Sequence, residues 1–405
     1  MPTGNGLAMR AFRVLQALSH RYGVSLMAPP PPKSAKANDA QNLVRALCRS
    51  VTLLPAGRRR VDVLWRRLLR WLYADAYFAC YRQPSDWRVV SAADRRALAN
   101  AYADECFDLI HVHRLYMLPV LSSLPAHLAG VPAQIDIDDV ESSTRERLAA
   151  LANLNGDLRL ARMMSRDADL YRSIEIHDLP RFQRTFVCAT GDRQLLPGGK
   201  GRPPIDVIPN IVAIPERGRE RLSGTPFVFL FVGSIDYYPN LDAVVFFCRD
   251  IAPAIRRRTT SPFEIRLVAS GRERQWSRVP KIPELVRCEQ SDDAVTAEYA
   301  KADAVVVPIR AGGGTRIKAL EAFANRKPVV ATSIGAEGLD VRAGEHVLIA
   351  DTPEDFAAQC LRLMQDSAVR CDLAERAFAL VSRSYGTEAL RRHLDAIEGL
   401  ANEAP

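Results

Sequence analysis

No stretch of the 405-residue chain reaches the roughly 18 uninterrupted apolar residues that a membrane-spanning helix needs. The amino-terminal run MPTGNGLAMRAFRVL lacks an apolar signal-peptide core, so the expected location is the cytoplasm. Eight cysteines are scattered at positions 48, 80, 106, 188, 248, 288, 360 and 371, without a Cys-x-x-Cys pair, and the seven histidines do not cluster with them. That spacing speaks against a zinc site or a disulfide framework and leaves reduced thiols. The phosphate motifs GxxxxGK[ST] and GxGxxG are both missing, and so is any repeat with a period of about 20–50 residues. A net charge of +8 and a pI near 9.2 come with no nucleic-acid fold signature. The charge therefore points to anionic substrates or an anionic membrane surface, not to nucleic acid.

What is present is an alternation. Short apolar strands are expected at 107–113, 132–138 and 185–190, then at 227–234, 263–270, 302–309 and 327–333. Stretches with helical spacing, such as 241–258 and 316–325, lie between them. Strands alternating with helices predict doubly wound parallel sheets, and the length suits two such domains. The segment 208–226 carries three prolines and a charged run between the two strand-rich halves, as a linker should. One strand is missing from the pattern. The chain opens at a Gly-rich turn, followed by a helix at about 8–20 and a strand at about 22–28. A doubly wound domain normally begins with a strand, so the true start could lie upstream.

The stretch 58–78 places Val61, Leu64, Trp65, Leu68, Leu69 and Leu72 on one helical face, with Arg59, Arg66, Arg67 and Arg70 towards the other. Such a helix either packs its apolar stripe on its own domain or lies in an anionic membrane interface.

The densest chemistry is IRAGGGTRIKALEAF, residues 309–323. Its glycines fall between the carboxyl end of a parallel strand and the start of a helix, where α/β sheets bind ligands. Orphan N–H groups and the helix dipole favour phosphate there. Arg316 and Lys318 add cations to the first turn, against the dipole, a cost that an anion between them would offset. Glu321 has two readings: an i,i+3 partner of Lys318, or a carboxylate that accepts hydrogen bonds from ribose hydroxyls.

At this point the sequence resembles the group 1 (GT4) retaining glycosyltransferases of GT-B fold. The resemblance rests on GGGTRIKALEAFANRKPVVATSIGAEGL (312–339), YAKADAVVVPI before it and PEDFAAQCLRLMQD (353–366) after it. FVGSIDYYPNLDAVVFFCRDIAPAI and VIPNI add to it. In the first half, GNGLAMRAFRVLQAL, FDLIHVH and IDIDDVESS look like the family's amino-terminal landmarks.

The resemblance implies two Rossmann-like domains facing across a cleft. An acceptor-side domain would span 1–210 and a sugar-nucleotide domain 211–385, with a helix at 386–405 crossing back. It implies that Gly312, Gly313, Gly314 and Thr315 hold the donor diphosphate with Lys318, and that Glu321 holds the ribose; Arg316 would stand in for a charge the family carries elsewhere. Gly233 and Ser234 would form a second phosphate-facing turn, and Glu289 and Gln290 would contact the base. Gly4, Asn5 and Gly6 would approach the phosphates from the other domain, while Asp138 or His113 would orient the acceptor.

Several positions depart from the family pattern. The first of its two glutamates falls on Gly313, the arginine after the Val-Gly turn is Ser234, and a lysine position falls near Pro239–Asn240. The family's catalytic histidine would fall near Asp138. The glycine that usually ends the helix is Arg326, so Asn325, which tolerates left-handed geometry, is expected to end it instead. These changes imply a divergent subgroup.

The expected activity is transfer of a sugar from a nucleoside-diphosphate sugar to a glycan, lipid-linked or other hydroxyl acceptor in cell-surface or exopolysaccharide synthesis. No cofactor or metal is expected, although the run Asp136–Asp139 has a DxD pattern. Partners would be the sugar nucleotide, the acceptor and, through 58–78, an anionic membrane surface. Two other readings stay open: a catalytically impaired sugar-nucleotide-binding scaffold, and a sugar-nucleotide epimerase of the same fold.

Overall fold

The computed structural model describes residues 6–29, 35–54, 84–85, 90–198, 201–215, 225–288 and 291–393. The basic stretch 58–78, Gly4, Asn5, Glu289, Gln290 and the chain beyond 393 lie outside the described residues. The chain divides into two compact units, Met1–Val207 and Ile208–Pro405.

The first unit begins with α1 (Gly6–Ser19), β1 (Ser25–Ala28), α2 (Ala35–Leu47) and β2 (Ser50–Leu53). It continues through α3 (Ala92–Ala101), β3 (Ile110–His113) and β4 (Ala133–Asp138) to a long helical hairpin, α4 (Glu141–Leu154) and α5 (Leu158–His177), and ends with β5 (Arg184–Val187) and β6 (Ile205–Val207). Local chemistry sets some of these limits. Ser91 opens α3 with a full capping box, its hydroxyl accepting from Asp94 N while the Asp94 carboxylate accepts from Ser91 N. In β4, Ile135 and Ile137 are fully buried and carry the strand into the core.

Among the described residues no strand precedes α1, and the strands fall into two sheets. The sheets are a parallel pair β1-β2 and a parallel set in the order β3-β4-β5-β6. β2 and β6 have no counterpart in the sequence reading.

The second unit holds β7 (Phe227–Val232), α6 (Tyr238–Phe246), β8 (Phe263–Val268), β9 (Leu285–Cys288), α7 (Asp292–Lys301) and β10 (Ala304–Val307). These are followed by α8 (Ile317–Ala324), β11 (Val329–Ala331), β12 (Leu348–Ile349), α9 (Pro353–Gln365) and α10 (Ser367–Ser384). All six strands are parallel, in the order β12-β11-β10-β7-β8-β9. Helices on both faces explain why β10 is AVVV without alternation, since all four residues are buried. Phe229, Phe231, Phe247, Phe323 and Phe356 fill the core, each worth about 1.5–3 kcal/mol of transfer free energy.

The end of α8 differs from expectation. Asn325 keeps φ −89°, and Arg326 takes the left-handed turn at φ 53°. Arg326 N donates to Phe323 O and Lys327 N to Ala322 O, which closes the helix one residue later than Asn325 would. The Arg326 guanidinium lies 3.6 Å from the Phe378 ring centroid and 2.5 Å from Glu375, contacts that help offset the backbone cost.

Candidate active site

The order of the second sheet fixes where a ligand can sit. From β7 the chain winds outward through β8 and β9, returns to β10 beside β7, and then winds the other way through β11 and β12. The carboxyl ends of β7 and β10 therefore flank the switch point, where open α/β sheets form their ligand crevice.

Both turns at that point are built on glycine. Gly233 follows β7 at φ 156°, while Gly312 and Gly314 follow β10 at φ 130° and 68°. A Cβ on Gly233 would come within 2.9 Å of Asn240 Nδ2, and one on Gly312 within 3.1 Å of Arg316 Nη1. Side chains at these positions would fill the space the turns leave.

The neighbouring polar groups brace the turns. Ser234 Oγ donates to Ser270 O at 3.3 Å and accepts from Asp236 N. Arg310 holds Asp242 with two hydrogen bonds of 2.9 and 2.7 Å, which ties the end of β10 to α6. Arg316, only 8% exposed, donates to Ile334 O at 2.7 Å and to Gly313 O at 2.8 Å and lies 3.6 Å from Glu337. Thr315 beside it is equally buried. The arginine thus holds the glycine turn against the loop after β11.

Lys318 stands in the first turn of α8. Its Nζ donates to Asn240 Oδ1 at 2.6 Å and sits 5.1 Å from the Phe231 ring centroid. Burial lowers its pKa to about 7; Arg316 adds to the shift and Glu321 opposes it. Glu321, one turn on, accepts a 3.4 Å hydrogen bond from Tyr299 Oη. Burial pushes its pKa up to about 7, against the pull of Tyr299 and Lys318. Lys318 thus bonds to Asn240 and Glu321 to Tyr299. Tyr299 is a site neighbour that the sequence reading does not name, because it sits in a different helix; Asn240 enters that reading only as the place where the family's lysine is absent, not as a partner of Lys318.

His113 and Asp138 stand in the first unit at the carboxyl ends of β3 and β4, and both lie near the same charged group. Arg10 of α1 forks onto Asp136 there, with Nε 3.0 Å from Oδ2 and Nη2 2.9 Å from Oδ1, and lies 3.6 Å from Asp138. Burial pushes the Asp136 carboxyl up, but Arg10 outweighs it and, with His113, holds it well below the usual carboxylate range. His113 Nδ1 lies 3.6 Å from Asp136 Oδ2, and neither ring nitrogen has a hydrogen-bond partner. Arg114, at φ 77°, bonds to Asp139 and donates to Ile137 O at 2.9 Å; Asp138 follows at φ 64°. Two non-glycine residues with positive φ in one cluster is backbone strain of the kind found at functional sites. Asp136 and Asp139 of the DxD-like run are each committed to an arginine. Gly6 begins α1.

Residues 226–366 match the family described as glycosyl transferases group 1. This segment is a group 1 glycosyltransferase domain. An uncharacterized 44.6 kDa protein in the cps region of Klebsiella pneumoniae is 24% identical over 168 residues, which cover 39% of this chain. The aligned part spans 42% of that relative's length.

Sucrose-phosphate synthase from Thermosynechococcus elongatus is similar in structure, with a TM-score of 0.64 at 15% identity, over 98% of this chain and 93% of the other. HepE from Anabaena, solved with UDP and glucose, gives a TM-score of 0.62 at 13% identity, over 98% and 96%. With two parallel α/β units, these likenesses give the chain the GT-B fold. The group 1 domain carries the glycine corner, Lys318 and Glu321.

Proposed function

We propose that the protein is a retaining glycosyltransferase that moves a sugar from a nucleoside-diphosphate sugar to a hydroxyl acceptor in cell-surface polysaccharide synthesis. The observation that carries this reading is the switch point of a group 1 domain, where two glycine turns, a cationic first helical turn and a partly buried carboxylate stand together. The K. pneumoniae relative from a cps region and the HepE complex with UDP and glucose support the substrate class.

In this reading the diphosphate lies against Gly312–Gly314 and the start of α8. Arg316 keeps the turn in shape, Lys318 supplies the charge, and Glu321 accepts from the ribose. Charge that develops on the departing diphosphate is met by groups already in place, and removing one such donor typically costs about 100–1,000-fold in rate. His113 and Asp138 would orient the acceptor hydroxyl. The arginines of 58–78 would keep the protein near an anionic membrane surface carrying a lipid-linked acceptor.

A thermal-shift screen against UDP-, GDP-, ADP- and TDP-sugars tests the donor, because a ligand of the native state raises the melting temperature. One sugar nucleotide should do so, and Lys318→Met should abolish both the shift and transfer while the circular dichroism spectrum stays unchanged. A new glycosidic bond that keeps the donor's anomeric configuration is the expected product. A free epimerised sugar, or no stabilisation by any donor, would overturn the reading.

A further inference from the structure

We propose that Asn240 is a positioning residue of the donor corner: it holds the Lys318 ammonium in place while leaving its positive charge available to the diphosphate. The proposal rests on the donor reading above and assigns a role to a residue in the first turn of α6, 78 positions before the lysine.

The geometry fixes the amide at both ends. Asn240 Nδ2 donates to Ser234 O at 2.9 Å, within the turn that follows β7. With the nitrogen engaged there, Oδ1 faces Lys318 Nζ at 2.6 Å, and a lysine accepts no hydrogen bond, so this orientation of the amide is the one the network allows. Asn240 is 7% exposed, and the absence of a side chain on Gly233 makes room for it, since a Cβ there would stand 2.9 Å from Nδ2. One side chain thus couples the turn after β7 to the helix after β10, across the switch point.

The identity of the residue matters. Burial and the guanidinium of Arg316, two residues away, disfavour the charged form of Lys318, so it needs an acceptor. A carboxylate at 240 would supply one, but it would also neutralise the ammonium that the ligand needs, and it would face the Ser234 carbonyl with no donor. A neutral amide does neither. A ligand anion then meets an oriented cation that no neighbouring carboxylate at 240 neutralises.

The test uses the full chain and two probes, inorganic pyrophosphate and UDP. The protein has seven lysines, so the side-chain carbon signals of isotopically labelled lysine can be resolved, with that of Lys318 identified by its loss in Lys318→Met. Asn240→Asp should move the titration of Lys318 to higher pH, and Asn240→Leu should move it lower. Each should weaken UDP and pyrophosphate binding by about tenfold or more, the factor that goes with losing one charge-assisted contact. Asn240→Asp is nearly isosteric, so it keeps the test decisive if the leucine variant fails to fold. A Lys318 titration unchanged in both folded variants would overturn the role of Asn240. If the wild type bound neither probe, the donor reading would fall, while the lysine titration would still decide whether Asn240 sets the state of Lys318.

Discussion

Lys318 and Glu321 are shifted towards each other, both to about 7, for the same reason: burial penalises whichever form is charged. For Glu321 the consequence for stability has a definite sign. Its pKa rises from 4.5 when unfolded to about 7 when folded, so between these values the folded state holds more proton. Stability therefore falls as pH rises through that window, and the deficit is complete above it. Glu321→Gln removes the titration and still offers Tyr299 an acceptor. The variant should match the wild type near pH 4.5 and exceed it at pH 8 by up to about 3 kcal/mol, the full size of the shift. Melting curves across pH give the answer, and equal curves at pH 8 would contradict the raised pKa of this partly buried carboxylate. The same variant should bind sugar nucleotide more weakly, because an amide oxygen is a poorer acceptor for ribose hydroxyls than a carboxylate.

At the scale of elements, the glycine corner is shaped from beneath by the loop after β11. Thr332 Oγ1 bonds to Ile309 O and accepts from Gly335 N at 2.8 Å. Gly335 passes so close to β10 that a Cβ would stand 2.2 Å from Val307 O, a backbone atom that cannot swing aside. Gly335→Ala should therefore cost the second unit about 1–3 kcal/mol, the range for overpacking a tight site. Gly344→Ala serves as the control: its φ of 77° is strained but nothing lies within 4 Å, so only the backbone penalty of about 1 kcal/mol applies. Denaturant unfolding of the two variants, compared at equal m-values, separates the effects.

The same contrast explains what the sequence made legible. A glycine run and two cations between a strand and a helix form a local signal, so 309–323 could be placed without a structure. Asn240 and Lys318 are 78 residues apart, and Arg10 and Asp136 are 126 apart. Neither pairing has a period or motif to announce it, because parallel sheets bring distant strand ends together. The left-handed turn at Arg326 was hidden for another reason: the contacts with Glu375 and Phe378 that offset its cost come from α10.

At the scale of the whole molecule, each unit has its own core and its own charged centre, so damage to one should be separable from the other. Arg10 and Asp136 form an ion pair in which both side chains are almost fully buried. Burying such a pair brings little net stability, but removing one partner leaves a carboxylate without compensation, at a cost of about 3–5 kcal/mol. Arg10→Met should lower amide-exchange protection in α1 and in β4 through Asp138, where Asp138 N donates to Asp136 Oδ1. Protection in β7 and β10 should not change, and neither should the affinity for sugar nucleotide, if the donor contacts lie wholly in the second unit. The double variant Arg10→Met with Asp136→Leu should recover part of the loss, because it removes the stranded charge along with its partner. A fall in donor affinity in Arg10→Met at a temperature where the first unit stays folded would instead show that the first unit's charged centre acts on the donor.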